Sequence, residues 1–329
     1  MSNVESAPQE TVCADRPSTA AVEVLEPRDV PLGGPRAMTV RRTLPQRQRS
    51  LIGAWCFADH YGPDDVAASG GMDVPPHPHI GLQTVSWLFA GAVEHRDSLG
   101  THAMVRPGEL NLMTGGHGIA HSEVSTPGTT VLHGAQLWVA LPNADRYSPK
   151  DFQHFAPTPV RVDGATVSVF LGTLAGQTSP VETFTPLLGA EVVLDAGATI
   201  QLGLDAAYEH GVLADTEGFT VDGTDLTRSA LAFLPTGQSQ LTLTNRSDQP
   251  ARALLLGGPP FEEEILMWWN FVGRTHEEIV EAREQWMAHS ERFGAVEGYA
   301  GAVKHLPAPA IPPVRIRPRS NTSRAPRDS

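Results

Sequence analysis

Two pairs of side chains that commonly bind metal ions stand close together in the first half of the sequence. The first pair is His77 and His79, separated by a proline, and the second is His121 and Glu123. In a β-strand, side chains two residues apart point to the same face, roughly 6.5 Å apart along the chain. Two such pairs on neighbouring or facing strands would offer three imidazoles and one carboxylate to one cavity, a set that suits a divalent first-row metal.

This ligand set also predicts what the ion could do. Four protein ligands on an octahedral ion leave positions open, where water, a substrate or dioxygen can bind. The carboxylate neutralises only part of a divalent charge, and the remainder favours an anionic ligand such as a deprotonated enol or catecholate. One HxH pair alone is explained as well by ordinary core or surface histidines, so the second pair makes the metal site the preferred interpretation. The same ligands accept iron, manganese, cobalt, nickel, copper and zinc.

Composition narrows the class of protein. The chain has 329 residues, a formal net charge of −13 and two cysteines, Cys13 in a polar leader and Cys56 in an apolar run. The acidic balance disfavours nucleic acid as a partner, and a disulfide framework is not expected. The N-terminus lacks the basic and apolar regions of a secretory signal, and no stretch is long enough to span a membrane. We therefore expect a cytoplasmic protein with no membrane partner.

Short apolar segments separated by turn residues predict an all-β fold. Examples are Leu51–Tyr61, Gln83–Ala90 and Val131–Leu141, and the high content of glycine (31) and proline (28) supplies the turns. Strands at such even spacing indicate an antiparallel sandwich or barrel. The pattern resumes from Val160 without any HxH or HxE pair. We therefore predict a second barrel of similar size that has no metal site of the same kind.

The pattern also predicts the domain organisation. Thr275 begins a capping box, and apolar residues then recur at helical spacing, so a helix is expected over 276–290. We expect the segment 261–290 to pack back across both domains. The predicted parts are a disordered leader at 1–19, an N-terminal barrel with the metal site at 20–145, a C-terminal barrel with the helix at 150–290, a linker at 142–159 and a disordered basic tail at 306–329.

Longer motifs around the two pairs resemble a known family. The sequence contains, in this order, LIGAWCFADHYGP, HPHIGLQTV, GAVEHRDSLG, PGELNLMTGGHGIAHSE and PFEEEILMWWNFVGRTHEEI. Together they closely resemble the pirin family of the cupin superfamily, over roughly residues 38–290. The resemblance implies a bicupin, that is, two antiparallel β-barrels of jelly-roll type with a C-terminal α-helix. It also implies Fe(2+) in the N-terminal barrel, bound by His77, His79, His121 and Glu123.

The resemblance implies two functions of different classes. Some pirins resemble quercetin 2,3-dioxygenases, so our preferred hypothesis is a metal-dependent oxygenase that acts on a small flavonol or enediol-like substrate. In that reaction the metal would hold the substrate's deprotonated hydroxyl group, and Glu123 would be the base that accepts its proton. The alternative is a non-enzymatic, redox-responsive regulator that acts through a protein partner.

Three positions depart from the family pattern. Pirins usually have glutamate where Gln83 stands, arginine where Ile80 stands, and often arginine where His117 stands. The changes at Ile80 and His117 predict a less basic cavity wall, and Gln83 leaves an acid–base role at its position in doubt. Among the remaining histidines, His117 is the best candidate for supporting a metal ligand, because its glycine-flanked loop immediately precedes the second pair.

Overall fold

The computed structural model describes residues 22–32 and 38–319, so the predicted leader at 1–19 lies outside the described residues. The described chain is mostly β-structure. It forms two units, each made of a seven-stranded and a four-stranded antiparallel sheet. The predicted all-β bicupin fold is confirmed.

The first unit contains most of the N-terminal half of the chain. Its sheets have the strand orders β12-β9-β6-β11-β4-β3-β2 and β5-β10-β7-β8. In chain order, the elements of this part of the chain are β1 (Glu23–Leu25), which joins the second unit, β2 (Arg28–Leu32), β3 (Met38–Leu44), β4 (Trp55–Asp65), α1 (Val66–Ser69), β5 (Asp73–His79), β6 (Leu82–Ala90), β7 (Val93–Asp97), β8 (His102–Val105), β9 (Leu110–Thr114), β10 (Ile119–Ser125), β11 (Val131–Ala140) and β12 (Asp151–Phe155).

The second unit repeats this arrangement. Its sheets have the orders β1-β22-β19-β24-β17-β14-β13 and β18-β23-β20-β21, and β15 and β16 form a separate small hairpin. The strands are β13 (Val160–Val162), β14 (Ala165–Leu171), β15 (Thr173–Leu174), β16 (Gln177–Thr178), β17 (Leu188–Leu194), β18 (Thr199–Gly203), β19 (Glu209–Ala214), β20 (Phe219–Val221), β21 (Thr224–Leu226), β22 (Leu231–Leu234), β23 (Gln240–Asn245) and β24 (Ala251–Gly258).

Two strands pair with a barrel other than the one to which their place in the sequence would assign them. Strand β1, at the start of the described chain, pairs with β22 of the second barrel. Strand β12, in the segment predicted as a linker, pairs with β9 of the first barrel. Each of them covers an otherwise open sheet edge, which satisfies backbone groups that would be left unpaired. A boundary drawn along the sequence does not capture this exchange.

The two barrels share one apolar core between their large sheets. Trp87 of the first barrel lies 4.5 Å from Phe170 of the second, measured between ring centroids. The indole nitrogen of Trp55 donates to the carbonyl oxygens of Leu188 and Gly257, both at 3.2 Å. Burying an aromatic side chain of this kind contributes about 1.5–3 kcal/mol, so the barrels stabilise each other.

The chain then returns to the first barrel. A hairpin of β25 (Leu266–Trp268) and β26 (Phe271–Gly273) is followed by the predicted helix, α2, which spans His276–Met287. The Thr275 side chain caps it by accepting a hydrogen bond from the backbone of Glu278. The helix buries Ile279, Ala282 and Trp286 in a cluster with Ile80 and Ala120 of the first barrel. No helix of the described chain is long and apolar enough to cross a membrane.

The predicted basic tail is described as far as residue 319, and that part is packed against the protein. The backbone of Leu306 donates to Pro76 at 2.8 Å, and Arg319 and Ile265 exchange a pair of backbone hydrogen bonds. Apolar tail side chains join the aromatic cluster around the helix. This differs from the disorder expected from a composition rich in proline and arginine. The same segment also contains apolar residues, and these are buried against the helix.

Candidate metal centre

The first HxH pair and the later HxE pair lie on adjacent strands. In the antiparallel pairing of β5 with β10, His121 is opposite His77. The register then shifts, so that Glu123 is opposite Val74. Consecutive prolines precede His77 in β5, and a proline cannot donate to the sheet, which favours a bulge at this point. The histidines lie on the regularly paired side of this bulge, where strand alternation puts His77, His79 and His121 on one face of the sheet.

Three imidazoles meet there. The ligand atoms of His77, His79 and His121 lie within 4.8 Å of one another, and all three side chains are fully buried. Nε2 of His79 is 3.0 Å from Nε2 of His121, and Nε2 of His77 has no hydrogen-bond partner among the described residues. Buried polar atoms left in this way are costly. A metal ion held by these three imidazoles would remove that cost, so the residues fit a metal.

The opposite nitrogen of each imidazole has a partner. Nδ1 of His77 donates to the carbonyl oxygen of Pro75 at 2.8 Å, and Nδ1 of His79 donates to that of Asn270 at 3.1 Å. A carbonyl oxygen only accepts, so these two rings carry their proton on Nδ1 and present the Nε2 lone pair to the centre. Holding the second nitrogen in this way is how proteins orient metal-binding histidines.

Burial also sets the charge of these rings. Removal from water lowers the pKa of His77 to about 3 and the pKa values of His79 and His121 well below the usual value. Desolvation has this effect because it penalises the charged form. All three imidazoles are therefore neutral near pH 7, which is the form that binds metal ions.

Glu123, predicted as the fourth ligand and as a base, lies on the same strand and is 2% exposed. Its carboxylate is not part of the group of atoms that lies within 4.8 Å. Tyr61 is close enough to respond to it, because burial first and the charge of Glu123 second raise the pKa of the tyrosine well above its usual value. The three histidines are thus gathered at one point, and the roles of Glu123 stay predictions.

The residue that contacts a predicted ligand is His95 rather than His117. Nδ1 of His95 lies 3.3 Å from Nδ1 of His121, and its Nε2 is 3.0 Å from the carboxylate of Asp97. His117 is exposed, and its ring lies 5.9 Å from that of Tyr147. Nearness along the sequence suggested His117, whereas β7 pairs with β10 and brings His95 beside the ligands. The i, i+2 spacing of His95 and Asp97 was the available signal.

The departures from the family pattern lie away from these imidazoles. Ile80 joins the C-terminal aromatic cluster on the outer face of the small sheet. Gln83 lies on the same face of its strand as Val85 and Trp87, which point into the core between the barrels. Its amide donates to Thr114 at 3.0 Å. The expected change in the cavity wall is therefore not supported at these positions, because strand alternation points both side chains elsewhere.

The second barrel has apolar residues where the first has its histidines. By sheet order, β18 and β23 correspond to β5 and β10. Their inward side chains are Ile200, Leu202, Leu241 and Leu243, all buried in one hydrophobic cluster. These positions therefore offer apolar side chains where the first barrel offers imidazoles.

A second group of potential ligands lies between the barrels. Oδ1 of Asp215, in the second barrel, is 2.7 Å from Nε2 of His60 and 2.5 Å from Nε2 of His133, both in the first. Arginines surround the same carboxylate, with Arg252 at 3.3 Å and Arg228 at 3.8 Å. Because these cations already compensate the charge and would repel a metal ion, we interpret the group as an ion cluster that joins the barrels.

Comparison with known proteins identifies the family and supports the fold. The family model described as Pirin matches residues 37–139, and the model described as Pirin C-terminal cupin domain matches residues 189–294. The chain belongs to the pirin family. The first match contains all four predicted ligands of this pirin, and the second contains most of the second barrel and the returning helix.

Relatives match along most of this pirin. It is 45% identical to a Pseudomonas aeruginosa protein named "Putative quercetin 2,3-dioxygenase PA1205", over 87% of the chain and 89% of the relative. It is 33% identical to a "Pirin-like protein" of Caulobacter vibrioides, over 76% and 88%. A crystal structure titled as quercetin 2,3-dioxygenase from Acinetobacter baumannii superposes with a TM-score of 0.85 at 41% identity, covering 90% of this chain and 97% of that one.

Proposed function

We propose that this protein is a metal-dependent dioxygenase of the quercetin 2,3-dioxygenase type. It acts on a flavonol or enediol-like substrate and uses Fe(2+) held by His77, His79, His121 and Glu123. The observation that carries the proposal is that three buried, neutral imidazoles have their ligand atoms within 4.8 Å of one another. The names of the relatives in Pseudomonas and Acinetobacter support the type of reaction.

The residues of the site have different roles in such a reaction. When bound, the ion supplies a Lewis acid that lowers the pKa of an enolic hydroxyl and a redox centre for dioxygen. The imidazoles are neutral, so a positive charge remains at the centre to attract the substrate anion. Glu123 lies on the ligand strand and accepts the hydroxyl proton. Trp138 packs its ring edge-to-face with His79, with the centroids 5.3 Å apart, and keeps that wall apolar.

The test is oxygen uptake by protein stripped of metal and reloaded with one metal at a time, with quercetin and simple enediols as substrates. We expect uptake with one metal, at one ion per chain, because the second barrel has no equivalent ligands. Uptake should vanish in His121→Ala and persist in His102→Ala, a control that removes an exposed histidine from the same sheet. Tight metal binding without any uptake would contradict the enzymatic proposal.

One observation favours the regulatory alternative. The carbonyl of Asn270, in the C-terminal segment, holds His79, so a change in the charge of the metal could alter the segment that covers the barrel. A protein partner would then recognise that surface. Hydrogen exchange of residues 266–319 in the ferrous and ferric protein tests this alternative. Identical exchange in both states would argue against it.

A further inference from the structure

One of the three imidazoles is held differently from the other two. His77 and His79 donate to backbone carbonyl oxygens, which no side-chain substitution removes. The Nδ1 of His121 instead faces the Nδ1 of His95 at 3.3 Å. The other nitrogen of His95 lies 3.0 Å from Oδ2 of Asp97. A chain of side chains therefore runs from the centre of the site to a carboxylate.

The carboxylate at the end of this chain is itself fixed. Oδ1 of Asp97 accepts hydrogen bonds from the backbone N–H groups of Leu99 at 2.8 Å and Thr101 at 3.1 Å. These bonds leave Oδ2 for His95. Both Asp97 and His95 are buried, with exposures of 2% and 3%. A buried carboxylate in this position can only accept, so it decides where the proton of His95 lies.

We infer that His95 and Asp97 are positioning residues that fix His121 as an Nε2 ligand. This inference rests on the proposed metal site. Asp97 accepts the Nε2 proton of His95, and His95 Nδ1 is then left as an acceptor. His95 Nδ1 accepts a hydrogen bond from the protonated Nδ1 of His121, whose Nε2 lone pair is left facing the Nε2 of His79. Partners of this type typically change metal affinity about 10–100-fold when they are removed.

The sharpest variant is Asp97→Asn, which keeps the shape and the oxygen that accepts from Leu99 and Thr101. Its new amide would donate to His95 Nε2 and so move the proton of that ring to Nδ1. Two Nδ1–H groups would then face each other, which favours moving the proton of His121 to Nε2, where it blocks the lone pair. His95→Gln is the second variant, because its amide can reach Asp97 but leaves no acceptor at the Nδ1 position.

The experiment measures the Co(2+) dissociation constant by competition with a chelator, on protein whose thermal unfolding shows that it is folded. We expect Asp97→Asn and His95→Gln to bind Co(2+) about 10–100-fold more weakly than the unmodified protein. His102→Gln, an exposed histidine on the neighbouring strand, is the matched control and should stay within about twofold, because surface changes have small effects.

The second readout is the proton position, taken from ¹⁵N-histidine NMR of the metal-free protein. We expect His121 to carry its proton on Nδ1 in the unmodified protein and on Nε2 in Asp97→Asn. Unchanged affinity in both variants, or weaker binding without this change of tautomer, overturns the inference. If His121→Ala has lost the metal in that case, the proposed metal site remains supported and only the role of His95 and Asp97 is wrong. If His121→Ala binds Co(2+) normally, the proposed metal site fails as well.

Discussion

The carbonyl oxygen of Asn270 lies 3.1 Å from Nδ1 of His79, although the two residues are 191 positions apart in the chain. Asn270 occupies the turn between β25 and β26, where Trp269 adopts a φ of 53°. A non-glycine residue in this region is uncommon and needs support from its surroundings. The segment that follows the second barrel therefore forms part of the site in the first.

Shortening the side chain of Phe271 should lower the metal affinity of the site, although Phe271 is not a predicted ligand. This ring is fully buried, 5.4 Å from the ring of Trp269, and its backbone bridges to Ile80 beside the ligand strand. Phe271→Ala should cost about 3–5 kcal/mol in unfolding free energy. It should also reduce metal affinity, because the carbonyl of Asn270 loses its fixed position. Urea unfolding and a chelator competition measure the two effects.

The control for this experiment is Phe184→Ala, which removes a ring that is 40% exposed. It should change neither quantity appreciably, because surface substitutions are usually within about 0.5 kcal/mol. If Phe271→Ala lost stability but kept the full metal affinity, the hairpin would not be needed to orient His79.

Restoring the glutamate typical of pirins at position 83 should affect stability rather than the metal. Gln83 is fully buried on the face toward the second barrel, and its Oε1 has no hydrogen-bond partner among the described residues. Gln83→Glu would place a carboxyl group there without a cation to pair with, at a cost of about 1–3 kcal/mol. Urea unfolding measures the loss, and Co(2+) affinity should stay within about twofold.

Glutamine and glutamate have the same shape, so Gln83→Glu changes only the chemistry of the group. Gln83→Met is an uncharged control that keeps the length of the side chain. The interpretation of Gln83 would be wrong if the glutamate variant bound the metal tenfold more tightly or more weakly while the methionine variant did not.

Asp215 should be a large contributor to the association of the two barrels. Burial alone would raise its pKa, but hydrogen bonds from His133 and His60 outweigh burial and hold the pKa well below the usual value. The resulting stability is present above the ordinary pKa of an aspartate and is lost only as the pH falls through the lower folded value. Asp215→Asn should therefore cost about 3–5 kcal/mol, and its own ionisation should add little pH dependence between pH 5 and 8.

Chemical unfolding over that pH range tests this prediction. Asp225→Asn is the control, because Asp225 pairs with Arg246 on the surface, where both side chains are more than half exposed. Such a pair contributes only about 0–1 kcal/mol. Equal losses in the two variants would show that the cluster between the barrels contributes no more than a surface pair.

The sequence was sufficient for the parts of the site that depend on local spacing. His77 and His79 are two residues apart, as are His121 and Glu123, and strand alternation alone puts each pair on one face. The absence of such pairs from the second half of the sequence agrees with the apolar side chains at the corresponding positions of β18 and β23. Even spacing of strands and turns likewise indicated the all-β fold.

The remainder depends on which strands become neighbours, and this is set by long-range packing. His95 supports His121 because β7 pairs with β10, and Asn270 reaches His79 because a distant hairpin returns. The spacing of His95 and Asp97 indicates that they share a face of one strand, but nothing in the sequence tells which strand or hairpin lies beside the ligands. The face on which Gln83 lies could not be assigned from the sequence, because its strand was predicted but its register was not. A shift of one residue in register would reverse that face.

The stability of the second barrel should depend on pH through His210. This ring is fully buried, neither of its nitrogens has a hydrogen-bond partner among the described residues, and burial lowers its pKa to about 4 from 6.5. Between those values the unfolded chain binds a proton that the folded protein does not, so His210 makes the folded state less stable as the pH falls from 6.5 to 4.

Replacing this ring with an apolar side chain should therefore stabilise the protein, and more so in acid. His210→Leu should gain about 1–3 kcal/mol at pH 7.5 by removing a buried unsatisfied group, and its advantage over the unmodified protein should grow at pH 5.5 and again at pH 4.5. Urea unfolding of the metal-free proteins measures the free energy of unfolding at each pH. The difference between His210→Leu and the unmodified protein cancels the contribution of the other buried histidines. His102→Leu, which replaces an exposed histidine, should show no such growth. An advantage that does not change with pH would mean that His210 is protonated as easily in the folded state as in the unfolded one.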